Sequence, residues 1–167
     1  MLLWFYSPSE LNFEALMSVY EDGNKENGAR LYPQESAFMQ KLRAEQDFDD
    51  YLRQTFFRQK GTAYCVLIDQ DCYVSAVRIE PFEDGYLISA LETRPDLRRR
   101  GYARQLMRNL LAECAARNSV PIYSHVANRN IPSMNLHLAC GFCVHKEFAR
   151  YLDGSVSGDC KTLVYKK

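Results

Sequence analysis

The stretch from Tyr86 to Leu111 constrains the fold of this chain more than any other. Tyr86 to Thr93 is nearly all apolar, the pattern of a central strand buried on both faces. From Arg100 to Asn118, the residues Leu106, Met107, Leu110, Leu111, Cys114 and Ala115 form one apolar stripe at helical spacing. The short basic turn Arg98-Arg99-Arg100-Gly101-Tyr102-Ala103 joins the two. The first N–H groups of a helix have no intrahelical acceptor and carry positive partial charge. Gly101 and Ala103 leave little side chain in the way, so an anion can approach that backbone. A strand, a basic glycine turn and a helix in this order make a cradle for a phosphate or pyrophosphate.

Charge supports a small anionic ligand. Six arginines (Arg94, Arg98, Arg99, Arg100, Arg104 and Arg108) stand against one acid, Asp96, in this region. The 167 residues as a whole carry 21 basic and 21 acidic side chains, so no chain-wide field exists to attract nucleic acid or an anionic membrane. No nucleic-acid motif accompanies the arginines. No apolar run approaches the ~20 residues of a membrane span, and MLLWFYSPSE lacks the basic start of a signal peptide. A cytoplasmic location is expected. The six cysteines then read as reduced thiols. Cys140 and Cys143 have the spacing of half a zinc or redox site. No second such pair exists, and packing is the simpler role.

The length suits a single domain. Leu2 to Tyr6 reads as a strand, and Ser7-Pro8 as a helix start leading to the apolar positions Leu11, Ala15, Leu16 and Val19. Glu21 to Arg30, polar with two glycines, reads as a loop. Glu35 to Arg58 reads as helical, with a break near Gln46-Asp47. Strands are expected at 62–68, 72–79, 121–126, 142–151 and 161–165, and a short helix at 133–140 before Gly141. The order is that of a mixed α/β sandwich.

The segment Leu91-Glu92-Thr93-Arg94-Pro95-Asp96-Leu97-Arg98-Arg99-Arg100-Gly101-Tyr102-Ala103 resembles the acetyl-CoA-binding motif of GNAT N-acetyltransferases, Arg/Gln-x-x-Gly-x-Gly/Ala between a strand and a helix. Arg98, Gly101 and Ala103 fill its defined positions. A second segment, Asn130-Ile131-Pro132-Ser133-Met134-Asn135-Leu136-His137-Leu138-Ala139-Cys140-Gly141-Phe142, looks like that family's Asn-x-x-Ser/Ala…Leu-Tyr-x-x-x-Gly-Phe. The likeness covers residues 62–165, while residues 1–60 match only in element order and would form a variable substrate-side part.

The resemblance implies a mainly antiparallel, splayed central sheet flanked by helices, with acetyl-CoA as cosubstrate and an amine as acceptor. It implies that the backbone of Leu91 to Thr93 pairs with the pantetheine arm. The N–H groups of Arg99, Arg100, Gly101, Tyr102, Ala103 and Arg104 would hold the pyrophosphate, and Asn130 and Ser133 would touch the far side of the cosubstrate. His137 stands where many members carry the tyrosine that protonates the leaving thiolate. A Leu-His pair there is similar to the phosphinothricin-acetyltransferase-type branch. The imidazole either donates a proton or only packs against the cosubstrate.

Two side chains are candidates for the base, and a water relay with no dedicated base is the alternative. Glu92 is the sole acid of an apolar strand, with a salt bridge to Arg94 or another nearby arginine as its alternative role. His125 lies on the next strand, where some relatives carry a glutamate base, and could instead be a hydrogen-bonded core histidine. Unpaired burial of either side chain is costly, so each needs a reason to be there. The competing reading is a catalytically silent acyl-CoA-binding module. The sequence names no particular amine and leaves a homodimer open.

Overall fold

In this computed structural model, which describes residues 1–117 and 120–166, the chain begins with strand β1 (Leu2–Phe5). A single 3-10 turn follows, capped by Ser7. Helix α1 (Phe13–Val19) starts at Asn12, whose side chain accepts from the Ala15 N–H at 3.0 Å. Helix α2 (Glu21–Leu31) follows after Tyr20 alone, and α3 (Ala37–Gln54) begins at the cap Ser36. The sheet core is β2 (Ala63–Asp69), β3 (Cys72–Phe82) and β4 (Gly85–Thr93). Helix α4 (Tyr102–Arg117), β5 (Ile122–Ala127) and α5 (Ile131–Ala139) follow. Four strands close the chain: β6 (Cys143–Lys146), β7 (Ala149–Arg150), β8 (Val156–Ser157) and β9 (Cys160–Tyr165).

Seven strands make one sheet in the order β1-β2-β3-β4-β5-β9-β6, and every neighbouring pair is antiparallel except β4 with β5. That parallel seam is short. Tyr86, Leu87 and Ile88 pair with Ile122, Tyr123 and Ser124, and the strands then part. From Ser89 to Thr93 the β5-facing edge of β4 has no partner strand, while His125 to Ala127 pair only with β9. This is the mixed, mainly antiparallel, splayed sheet expected from the sequence.

Two helical layers cover the sheet. On one face Leu106, Met107, Leu110 and Leu111 of α4 pack on Val77, Ile88, Ile122 and Val126. On the other, Leu16, Met17 and Val19 of α1 and Leu52 of α3 pack on Tyr64, Val66 and Ala76. Truncating a fully buried leucine such as Leu106 to alanine costs about 2–5 kcal/mol.

The fold departs from the sequence reading in five places. The helix expected from Ser7-Pro8 is only a 3-10 turn over Pro8–Glu10, and the α-helix starts at Phe13 after its own cap, Asn12. Residues 21–31 are helix α2, not a loop. The segment is polar because it buries only Asn24 and Gly28. Gly28 is there for closeness, since a Cβ would run into the Gln40 carbonyl oxygen. Helix α3 runs unbroken through Gln46-Asp47. The strand expected over 142–151 is two pieces, β6 and β7. Finally, β4 is buried on both faces only around Leu87 and Ile88, because its outer half borders an open groove. The expected end of α4 at Asn118 lies outside the described residues.

Candidate active site

A β-bulge marks the point where the sheet opens. Ala76 pairs with Glu92 and Arg78 with Ser89, so Ala90 and Leu91 together face Val77 alone. Ala90 takes φ +51, and the Tyr20 hydroxyl donates to its carbonyl at 2.6 Å. The Ser75 hydroxyl fixes the next carbonyl but one, Glu92 O, at 2.6 Å. The bulged strand is therefore held from the α1 side and from β3, while its other edge stays open.

Beside that edge lies a groove of about 770 Å³. Leu91, Glu92 and Thr93 form one wall. Arg98, Arg99, Gly101, Tyr102, Ala103 and Arg104 form the turn end. Asn130 and Ser133 lie opposite, together with Pro132 and Leu136, which the sequence reading did not single out. Arg100 alone of the expected cosubstrate residues lies outside the groove lining. Its guanidinium reaches back to the Asp96 carbonyl at 3.4 Å.

The turn is shaped for an anion. Arg99 and Gly101 both take left-handed conformations, with φ +64 and +87. Alternation of this kind turns successive N–H groups toward one concavity. Among the described residues, the N–H groups of Arg99 through Arg104 have no acceptor, whereas that of Gln105 donates to Gly101 O at 2.9 Å. Not every arginine is free to assist. Arg94 is paired with Asp96 at 2.7 Å, and Arg98 bridges Asp22 at 2.7 Å and Glu92 at 3.7 Å. Arg99 and Arg104 have no carboxylate partner among the described residues.

The three candidate catalytic residues are placed differently. Glu92 is half-buried at the bulge. Burial raises its carboxyl pKa, and the Arg98 guanidinium opposes that shift. His125 points to the same sheet face as Tyr123, since Ile122 and Val126 point to α4. It lies edge-on to Phe82 and Tyr151, with ring centroids 5.4 and 5.3 Å away, and does not line the groove. Its Nε2 is buried with no hydrogen-bond partner among the described residues.

His137 is only 2% exposed, on the inner face of α5 against Phe142. Its Nδ1 lies 2.8 Å from the Ser133 carbonyl, which can only accept, so we assign the proton to Nδ1. Nε2 is then a buried lone pair, and burial lowers the pKa of the ring. That tautomer has no free proton to give a thiolate, which favours the packing alternative.

Burial lowers the pKa of both His125 and His137 in the fold. The unfolded chain then binds more protons below about pH 6.5, where free imidazole titrates. Stability is full above that pH and falls as the pH drops toward the lowered folded values. Urea midpoints measured between pH 8 and pH 5 are expected to decline below pH 6.5, less so in His137→Phe. A midpoint that stays flat through this range in the wild type would contradict the buried neutral imidazoles.

A second depression of about 520 Å³ adjoins the bulge from the α2–α3 side, with Ala90 in its wall. Sequence reasoning missed it, because its walls come from the segment read as a loop and from scattered aromatic positions. Around it, Asp22 is tied to Arg98, Asp49 to Arg53 and Asp47 to the Tyr32 hydroxyl. Among the described residues no three His, Cys, Asp or Glu side chains gather as a metal site, and the six cysteines are free thiols. No helix in the described residues is long and apolar enough to cross a membrane.

A splayed sheet with an anion cradle at its opening is the architecture of an enzyme that binds a long phosphorylated thioester. The sequence matches the acetyltransferase (GNAT) family over residues 28–142, and the chain belongs to that family. The match reaches into α2 and α3, well before the two motifs.

Solved structures agree in fold. The PaiA N-acetyltransferase from Thermoplasma acidophilum, in complex with coenzyme A, superposes with a TM-score of 0.66 at 11% identity, over 100% of this chain and 99% of that one. The ribosomal-protein-S18-alanine N-acetyltransferase from Escherichia coli gives 0.63 at 15% identity, over 99% and 94%. Ard1 from Thermoplasma volcanium gives 0.64 at 15% identity, over 99% and 96%. No curated protein sequence matches. The chain is an acetyltransferase by family, and acetyl-CoA is its cosubstrate.

Proposed function

We propose that this protein is an N-acetyltransferase that moves the acetyl group of acetyl-CoA directly to a primary amine. The observation that carries the reading is the meeting of two depressions at one bulge: the groove beside Leu91 to Thr93 and the pocket beside Ala90. The groove has the cradle for the donor, and the pocket on the other side of the sheet has room for an acceptor. Structural neighbours named as N-acetyltransferases support the amine as acceptor.

In this reading the chain acts as one domain, with residues 61–167 holding the donor and residues 1–60 shaping the acceptor side. The N–H groups of Arg99 to Arg104 hold the pyrophosphate, with the Arg99 and Arg104 side chains adding charge. The open edge of β4 from Leu91 to Thr93 pairs with the pantetheine amides, and Asn130 and Ser133 contact the far side. Arg98 and Arg100 serve the turn's shape more than the phosphates, since their guanidinium groups are turned to protein oxygens. Glu92 takes the proton of the incoming ammonium, directly or through one water. His125 faces the acceptor side and is the alternative base. Solvent protonates the leaving thiolate, because His137 holds its proton on the Ser133 carbonyl. The protein works without nucleic acid or membrane.

Acetyl-CoA at 1,000 times its Kd should stabilise the native protein by about 4 kcal/mol. For a chain of this size that is a rise in Tm on the order of 10 °C. Thermal melts with and without acetyl-CoA test the cradle, and thiol release with a panel of amines tests transfer. No shift in a well-folded sample would falsify the donor site. A shift without transfer to any amine would instead mark a silent binding module.

A further inference from the structure

The pocket beside Ala90 contains a cation, Arg78, that has no ion-pair partner among the described residues. Arg78 lies on β3, opposite Ser89 and adjacent to the bulge. Its guanidinium lies over Tyr51 and Phe56, 5.1 and 5.8 Å from the ring centroids. Its Nε is buried and has no hydrogen-bond partner, and among the described residues no carboxylate forms an ion pair with it. The nearby acids are otherwise engaged. Glu80, two residues along the same strand, accepts from Ser89 at 3.3 Å, and Asp47, across the pocket, accepts from the Tyr32 hydroxyl at 2.5 Å. Arg30, the other cation of the wall, is bonded to Asn27 at 3.2 Å.

A buried donor left unmade is costly, and a charged one more so. Stacking on two aromatic rings offsets part of that cost and fixes the plane of the guanidinium. It supplies no hydrogen-bond acceptor to the guanidinium, and Arg78 lines the pocket. A fixed, forked, unpaired guanidinium is the group that recognises a carboxylate through two parallel hydrogen bonds. Tyr20, Phe48 and Tyr51 give part of the wall an aromatic surface that suits an apolar side chain, beside polar Asn24, Asn27 and Asp47.

We propose that the acceptor is a small amino acid whose free carboxylate is received by Arg78 while its amine faces Ala90 and Glu92. This inference rests on the N-acetyltransferase reading and narrows it. Arg78 and Ala90 line one pocket, so the amine and the carboxylate must lie close together on a small molecule. Polyamines and peptide N-termini, which offer no carboxylate at that distance, are poor fits.

Initial rates with acetyl-CoA should be measured for the proteinogenic L-amino acids and for the matching carboxamides. At least one acid is expected to exceed its amide by about tenfold or more in kcat/KM, the discrimination a charge-assisted pair supplies. Arg78→Met should bring that ratio close to one, and Arg78→Lys should keep part of it. The acetyl-CoA-induced thermal shift reports whether each variant is folded. If Arg78→Met does not fold, the wild-type ratio and Arg78→Lys decide. Equal use of acids and amides by the wild type overturns the inference, as does a preference that survives in Arg78→Met. Transfer only to amines without a carboxylate overturns it too, yet leaves the N-acetyltransferase reading standing. If no amine is acetylated, that reading fails instead, and calorimetric titration of the CoA-bound protein with the same acid and amide pairs decides this one. Tighter binding of an acid, lost in Arg78→Met, sustains it, and no difference ends it.

Discussion

Gly101→Glu is expected to lower acetyl-CoA affinity by at least about 100-fold while leaving the fold intact. Two effects act together. Gly101 holds φ +87, a conformation that costs a residue with a Cβ about 1–2 kcal/mol. A Cβ at this position would meet no atom within 4 Å, so the added side chain has free passage into the groove. There it places a carboxylate where the unpaired N–H groups of Arg99 to Arg104 would otherwise meet a pyrophosphate. Gly101→Ala separates the two effects, since it adds the strain without the charge and should lose only about tenfold. Calorimetric titration with acetyl-CoA measures both, and circular dichroism checks the fold. Wild-type affinity in Gly101→Glu would mean that the phosphates lie elsewhere.

Turnover should fall by a factor on the order of 100 in Glu92→Gln, with acetyl-CoA affinity nearly unchanged, as loss of a general base does. The carboxyl is half-buried at the bulge, and its pKa is raised by that burial. Only the ionised form accepts a proton, so the rate rises with pH through this raised value, and the limb should vanish in Glu92→Gln. His125→Gln is the comparison, because its ring shares the acceptor face but not the groove lining. If His125→Gln alone slows turnover, the imidazole is the base.

Stability should move the other way. A carboxyl whose folded pKa lies above its unfolded one adds stability below the unfolded value and loses it as the pH rises through the folded one. At neutral pH the ionised Glu92 is therefore a net cost, partly screened by Arg98 and by solvent. Glu92→Gln is expected to melt slightly higher than the wild type, and a lower melting point would count against the desolvated carboxylate.

The strand, turn and helix from Tyr86 to Arg117 were legible because each rests on a local requirement. The helix needs a stripe, the strand needs apolar side chains, and the turn needs Gly101 at positive φ. Asn130, singled out only through the family resemblance, is also the cap of α5, its side chain accepting from the Ser133 N–H at 3.1 Å. The acceptor side was not legible. Helix α2 touches its neighbours through Gly28 and Asn24, which give no apolar period. Arg78 on β3 belongs to no sequence motif, and only the packing of Tyr51 and Phe56 under its guanidinium singles it out. The tautomer assigned to His137 depends on the carbonyl one turn back, a contact no residue pattern announces.

The brevity of the β4–β5 seam has a consequence for how the chain reaches its folded state. Only three residue pairs stitch the two parts of the sheet together. On one side, β2, β3 and β4 are joined by tight hairpins and can form from contacts close in sequence. On the other, β9 must return across more than thirty residues to lie against β5. Local pairings close at less entropic cost than distant ones, so the hairpin part should be the earlier and more protected unit. Amide protons of β5, β6 and β9 should then exchange with solvent through partial openings that leave β2 to β4 intact, and a ligand lying along both sides of the gap would slow them.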